Sequence, residues 1–154
     1  MDFVKQTIEL AMNNVEQGGR PFATLVVRDG EVIAQSANQA AQTSDPTAHA
    51  EILAIREACR TLGTENLTDC DIYILASPCP MCLGALYYCS PRQVFYITTR
   101  EEYVTWYRDD RKYFELENFY DEFAKPVEQR RLPMIRKADP DALKVYQRWQ
   151  ALNG

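Results

Sequence analysis

The sequence predicts an α/β fold of three layers, a mixed sheet lying between helices on both faces, and three observations support it. Segments with helical apolar spacing alternate with short apolar runs of strand length, in the order α-β-β-α-β-α-β followed by further helices. Asp29-Gly30 between the first two strands is a two-residue hairpin signal, so that pair is antiparallel, whereas a strand-helix-strand order implies parallel pairing elsewhere. A chain of 154 residues that is 46% hydrophobic and 25% charged suits one globular domain over residues 1–154, with a sizeable core and no need of disulfides.

Taken in order, Asp2 is placed to cap a helix running to about Gln17, in which Val4, Ile8, Met12 and Val15 recur at helical spacing and which Gly18-Gly19 ends. Phe22 to Arg28 reads as a strand, and Glu31 to about Gln35 as its return. Ala37 to Ser44, small and polar, reads as a loop. Asp45-Pro46 then offers a cap and a first-turn proline for a helix continuing to about Leu62, which sets His49 and Glu51 near its start. Asp71 to Ala76 is a short apolar strand leading to Cys79, where Pro80 opens the next helix. Pro91 closes that helix and Gln93 to Thr98 forms the following strand. From Glu101 to Phe123 the chain is charged and aromatic, and Asp139-Pro140 repeats the cap-plus-proline device before a last helix carrying Leu143, Tyr146 and Trp149 on one face.

Two stretches carry chemistry. His49, the chain's one histidine, stands two residues before Glu51, and a Pro-Cys-x-x-Cys follows with Cys79 and Cys82. One imidazole and two thiolates make three corners of a tetrahedral zinc whose fourth corner stays open, the pattern of a catalytic rather than a structural site. A carboxylate beside such a metal can take a proton from water and hand it to a leaving group. A structural zinc held by four cysteines fits less well, since Cys59, Cys70 and Cys89 form no second close pair. A redox Cys-x-x-Cys would leave His49 and Glu51 without a role.

The net charge of −5 disfavours a nucleic-acid partner, because phosphate contacts need clustered Lys and Arg. The charge is uneven: residues 101–124 hold three basic and eight acidic side chains, and residues 125–154 hold seven basic and three acidic ones. Met1-Asp2-Phe3 enters an amphipathic pattern directly, with neither a signal peptide nor a run of about 18 apolar residues for a membrane span. Together with five cysteines, an odd number, this points to a reducing, cytoplasmic setting.

The pairing of His-x-Glu with Pro-Cys-x-x-Cys is the signature of zinc nucleobase deaminases, and through it the chain resembles the cytidine-deaminase superfamily. Within it the chain is most similar to bacterial guanine deaminases, through Pro21-Phe22-Ala23, Asp29-Gly30, Ser44-Asp45-Pro46-Thr47-Ala48-His49-Ala50-Glu51, Pro78-Cys79-Pro80-Met81-Cys82-Leu83-Gly84-Ala85 and Lys125-Pro126-Val127-Glu128. The resemblance implies a cytidine-deaminase-like fold on a mixed five-stranded sheet, one strand more than the four read above. It implies Zn2+ held by His49, Cys79 and Cys82, with Glu51 as proton shuttle in hydrolysis of a free nucleobase, guanine to xanthine. It also implies base contacts from Asn38, Ala50, Phe22, Tyr88 and Asp110, with Asp109 second to Asp110. Read from the residues alone, Asn38 equally suits an Asx turn, Phe22 and Tyr88 suit a core, and Arg108-Asp109-Asp110-Arg111 suits a surface charge cluster. The chain departs from the family at Ser77, where close relatives carry glutamate, which keeps cytosine or another amino-heterocycle in view beside a tRNA adenosine. A homodimer is expected from the aromatic stretch and the amphipathic last helix, and the resemblance adds that this helix is exchanged between subunits.

Overall fold

The computed structural model describes residues 2–109, 111–113 and 119–154. They fall into two compact units, residues 1–110 and residues 111–154.

In the first unit, α1 (Phe3–Glu16) starts where the Asp2 carboxylate accepts a hydrogen bond from the Lys5 N–H at 3.1 Å. Its buried face is not the apolar stripe: Thr7, Ala11 and Asn14 turn inward, while Val4, Ile8, Met12 and Val15 stay 40–57% exposed. Strands β1 (Ala23–Arg28) and β2 (Glu31–Ala37) pair antiparallel across Asp29 and Gly30, whose φ angles of 51° and 77° are those of a primed hairpin turn. The stretch expected as a loop contains a short helix, α2 (Ala40–Thr43). Asp45 caps a local turn instead of the next helix, its carboxylate accepting from the Thr47 N–H and Oγ1 at 2.9 and 2.7 Å. Helix α3 (Ala50–Leu62) therefore begins at His49, later than Asp45-Pro46 suggests. Strand β3 (Asp71–Ala76), α4 (Pro80–Cys89) and β4 (Gln93–Thr98) follow as expected, with β3 and β4 parallel.

The sheet order is β2-β1-β3-β4, with β1 antiparallel to both neighbours. Alternation along the strands divides the faces. Val26, Ala34, Ile72 and Ile74 pack with Ala54, Ala58, Leu86 and Cys89 of α3 and α4 in the core. On the other face Tyr73 stacks on Phe95 at 4.8 Å and meets Phe3 of α1 at 5.4 Å. The unit thus has three layers. The five-stranded expectation is corrected to four strands among the described residues. After Thr98 the chain enters a capping box, Thr99 Oγ1 accepting from the Glu102 N–H and the Glu102 carboxylate from the Thr99 N–H, which starts helix α5 (Arg100–Tyr103) where a further strand would need extended backbone.

In the second unit, α6 (Phe119–Ala124) is followed by a short turn in which Arg130 donates to the Phe123 and Lys125 carbonyls. Helix α7 (Leu143–Asn153) follows a single turn capped by the Asp139 carboxylate.

Candidate active site

The ends of β2 and β3 deliver two helix starts to one place. His49 occupies the N-cap of α3, with the buried Ala50 and Glu51 in its first turn. Cys79 occupies the N-cap of α4, Pro80 takes the first helical position, where no N–H is needed, and Cys82 lies one turn on. The Cys79 sulfur accepts from the Cys82 N–H at 3.5 Å, so the thiolate does the capping that a serine or aspartate does elsewhere. Two helix N-termini, each with partial positive charge, then face the same cluster of sulfur and carboxylate.

The donor set fits a metal. Zinc bonds of about 2.0–2.1 Å to nitrogen and 2.3 Å to sulfur, at the tetrahedral angle, set N and S about 3.6 Å apart. His49 Nδ1 lies 3.6 Å from Cys79 Sγ and 3.5 Å from Cys82 Sγ, and the three donors lie within 4.8 Å of one another. As bare ligands they divide the charge unequally. Cys79 is pulled down to about 4 by the hydrogen bond from the Cys82 thiol and then by His49, against the cost of burial. Cys82 is pushed up because its neighbour already carries the negative charge and because it is buried. His49 is raised, chiefly by its hydrogen bond with Cys79. A metal that takes both sulfurs as thiolates must therefore displace a proton from Cys82.

Glu51 is 8% exposed, and burial raises its pKa. A carboxyl poised above the ordinary range beside a metal site suits a group that both takes and returns protons.

The base-contact candidates gather less completely. Asn38, 3% exposed, makes an Asx turn: its Oδ1 accepts from the Ala40 N–H at 3.0 Å, while among the described residues its Nδ2 takes no partner. Its backbone N–H bonds the Phe22 carbonyl at 2.9 Å, which ties these two candidates together. Phe22 meets the edges of two rings that the sequence did not single out for the site, Tyr103 at 5.7 Å and Tyr107 at 5.1 Å. Tyr103 lies within electrostatic reach of Cys79, Asp109 and Glu51, and Asp109 within reach of His49. The capping box places this group, because Ser77, two residues before Cys79, bonds the Thr98 carbonyl immediately before the cap. The Thr-x-x-Glu pattern of residues 99–102 was the available signal. Tyr88 stands 89% exposed on α4 and, among the described residues, makes no ring contact with Phe22. Asp110 lies outside the described residues.

Residues 1–98 match the family model of the cytidine and deoxycytidylate deaminase zinc-binding region. The guanine deaminase of Bacillus subtilis is 39% identical over 149 residues, 96% of this chain and 92% of that protein. The crystal structure of guanine deaminase from Bacillus subtilis superposes with a TM-score of 0.88 and 37% identity, covering 98% of this chain and 95% of that one. The tRNA-specific adenosine deaminase of Aquifex aeolicus is 43% identical over 84 residues, 54% of this chain and 56% of that protein. The His-x-Glu and Pro-Cys-x-x-Cys stretches both lie inside the matched residues, on the helix starts that bring their donors together. The chain therefore belongs to the cytidine and deoxycytidylate deaminase zinc-binding family and is a deaminase, a hydrolase.

Proposed function

We propose that the chain hydrolyses guanine to xanthine and ammonia, with zinc held by His49, Cys79 and Cys82. The observation that carries this reading is the extent of the likeness to guanine deaminase, 149 residues, against 84 for the tRNA-specific enzyme. Zinc in such a site supplies a Lewis acid and lowers the pKa of water at the open corner. Glu51 accepts a proton from the attacking water and delivers protons to the ring nitrogen beside the amino-bearing carbon and to the departing ammonia. Since the Asx turn occupies the Asn38 oxygen, the side chain offers its N–H group, which suits a carbonyl or ring nitrogen of the base. Asp110 accepts from ring N–H and amino groups, which guanine presents on one edge and adenine does not. Phe22, Tyr103 and Tyr107 form an aromatic wall for a flat ring.

The test is ammonia release from guanine, adenine, cytosine, their nucleosides and a few triazines or pterins. Guanine should exceed adenine by about 10⁴ or more, because polar groups built for one base edge are left unpaired by the other. Faster turnover of adenine or cytosine overturns the guanine reading but not the deaminase. A tRNA substrate is disfavoured by the eight acidic and three basic side chains of residues 101–124.

The protein works as a homodimer in this reading, with α7 exchanged between subunits. Leu143, Val145, Tyr146, Trp149 and Leu152 are each more than 60% exposed on that helix, an apolar surface that a partner would cover. Sedimentation at micromolar concentration should give a dimer, and a monomer alone would contradict it. Among the described residues no helix is long and apolar enough to cross a membrane.

A further inference from the structure

We infer that Asn14 is a positioning residue for the base pocket, the hub through which α1 holds Asn38 and the segment leading to Phe22 in place. Its side chain is 4% exposed and its hydrogen-bonding capacity is fully used. Nδ2 donates to the Arg20 carbonyl and to the Asn38 carbonyl, both at 2.8 Å. Oδ1 accepts from Gln39 Nε2 at 3.1 Å and from Gln42 Nε2 at 3.0 Å. The Arg20 carbonyl also receives the Phe22 N–H, and Phe22 returns its own carbonyl to the Asn38 N–H, each at 2.9 Å. On the far side the Gln39 N–H bonds the Ala48 carbonyl at 2.9 Å, immediately before His49. One buried carboxamide thus sets the distance between the base-contact loop and the metal corner. The network also fixes its neighbour: a Cβ on Gly19 would overlap the amide nitrogens of both Asn14 and Gln42, so position 19 has space only for glycine. Asn14 bonds no metal donor and no part of Glu51, so its loss should disturb placement of the base while leaving the zinc ligands in place.

The inference rests on the reading of Asn38 as a base contact, and a double-mutant cycle separates the two. Steady-state kinetics would be measured on guanine, or on whichever base of the substrate panel is turned over best, for Asn14→Ala, Asn38→Ala and the double variant, with zinc content alongside. Asn14→Ala should raise KM about tenfold or more with a smaller change in kcat and unaltered zinc. In the Asn38→Ala background that effect should shrink to within about threefold, because coupled neighbours are not additive. Asn14→Asp keeps the shape and the glutamine bonds but offers acceptors where two carbonyls need donors, so it should be at least as impaired as alanine. If Asn14→Ala does not fold, the Gln39→Ala and Gln42→Ala pair loosens only the hub's oxygen. That pair should raise KM several-fold in the wild-type background and not in Asn38→Ala. Factors that multiply, or a wild-type KM in Asn14→Ala, overturn the inference while leaving the base contact standing. An unimpaired Asn38→Ala removes the base contact itself, and the hub's role with it.

Discussion

The metal corner and the proposed base-contact side of the site are built in different ways. At the corner the three donors and Glu51 all sit at helix starts, His49 and Glu51 two residues apart and Cys79 and Cys82 three apart, so local caps fix the geometry. The residues proposed for the base side, Asn14, Phe22, Asn38, Tyr103 and Tyr107, come from four separate stretches of the chain and are joined by hydrogen bonds and ring contacts between segments.

Breaking the corner should have the largest consequence. His49→Ala removes one of three donors, so zinc should fall from about one per chain to near zero in metal analysis, with deamination at background. Full zinc and activity in that variant would show the ligand set to be different. On the base side, Asp110→Ala should lower kcat/KM for guanine by roughly 10²- to 10³-fold with zinc unchanged, the usual cost of leaving buried polar groups without their charged partner. Normal turnover of guanine by that variant would remove Asp110 from base recognition.

The smallest effect belongs to a pair outside both regions. Arg92 bonds the Asp71 carboxylate at 2.9 and 2.7 Å and holds its pKa below the ordinary 3.8. A carboxyl depressed in the folded state stabilises the fold above its unfolded pKa, and that contribution disappears as pH falls through the lower, folded value. Asp71→Asn should therefore lower the urea midpoint slightly at pH 7, and the difference from wild type should close as pH falls through the lowered folded pKa. A difference that persists at low pH would mean that the pair contributes through packing instead.

The same contrast explains what could be read before the structure. The corner was legible because its spacing is local, and the limits of β3 and β4 were legible because short apolar runs end at turn residues. The start of α3 was misplaced because Asp45 spends its carboxylate on Thr47, a local turn with the same residues as a helix cap. The buried face of α1 is not legible in the sequence for a related reason. Apolar periodicity selected Val4, Ile8, Met12 and Val15, but the inward face is set by Thr7 and Asn14, whose hydrogen bonds leave no apolar signal. Tyr103 and Tyr107 lay in an aromatic stretch without a period, and only the capping box after β4 gives them a direction. Contacts between distant segments, on which the base side depends, have no local signature.

Glu51, buried in the first turn of α3 next to the metal donors, is the group on which deamination depends most directly in the proposed mechanism. Glu51→Gln keeps the shape and the ligands while removing the proton shuttle. Metal content and single-turnover deamination measured on the same preparation should show about one zinc per chain and turnover lowered by roughly 10³-fold or more. Turnover within about tenfold of wild type at full zinc would contradict the assignment of Glu51 as the proton shuttle.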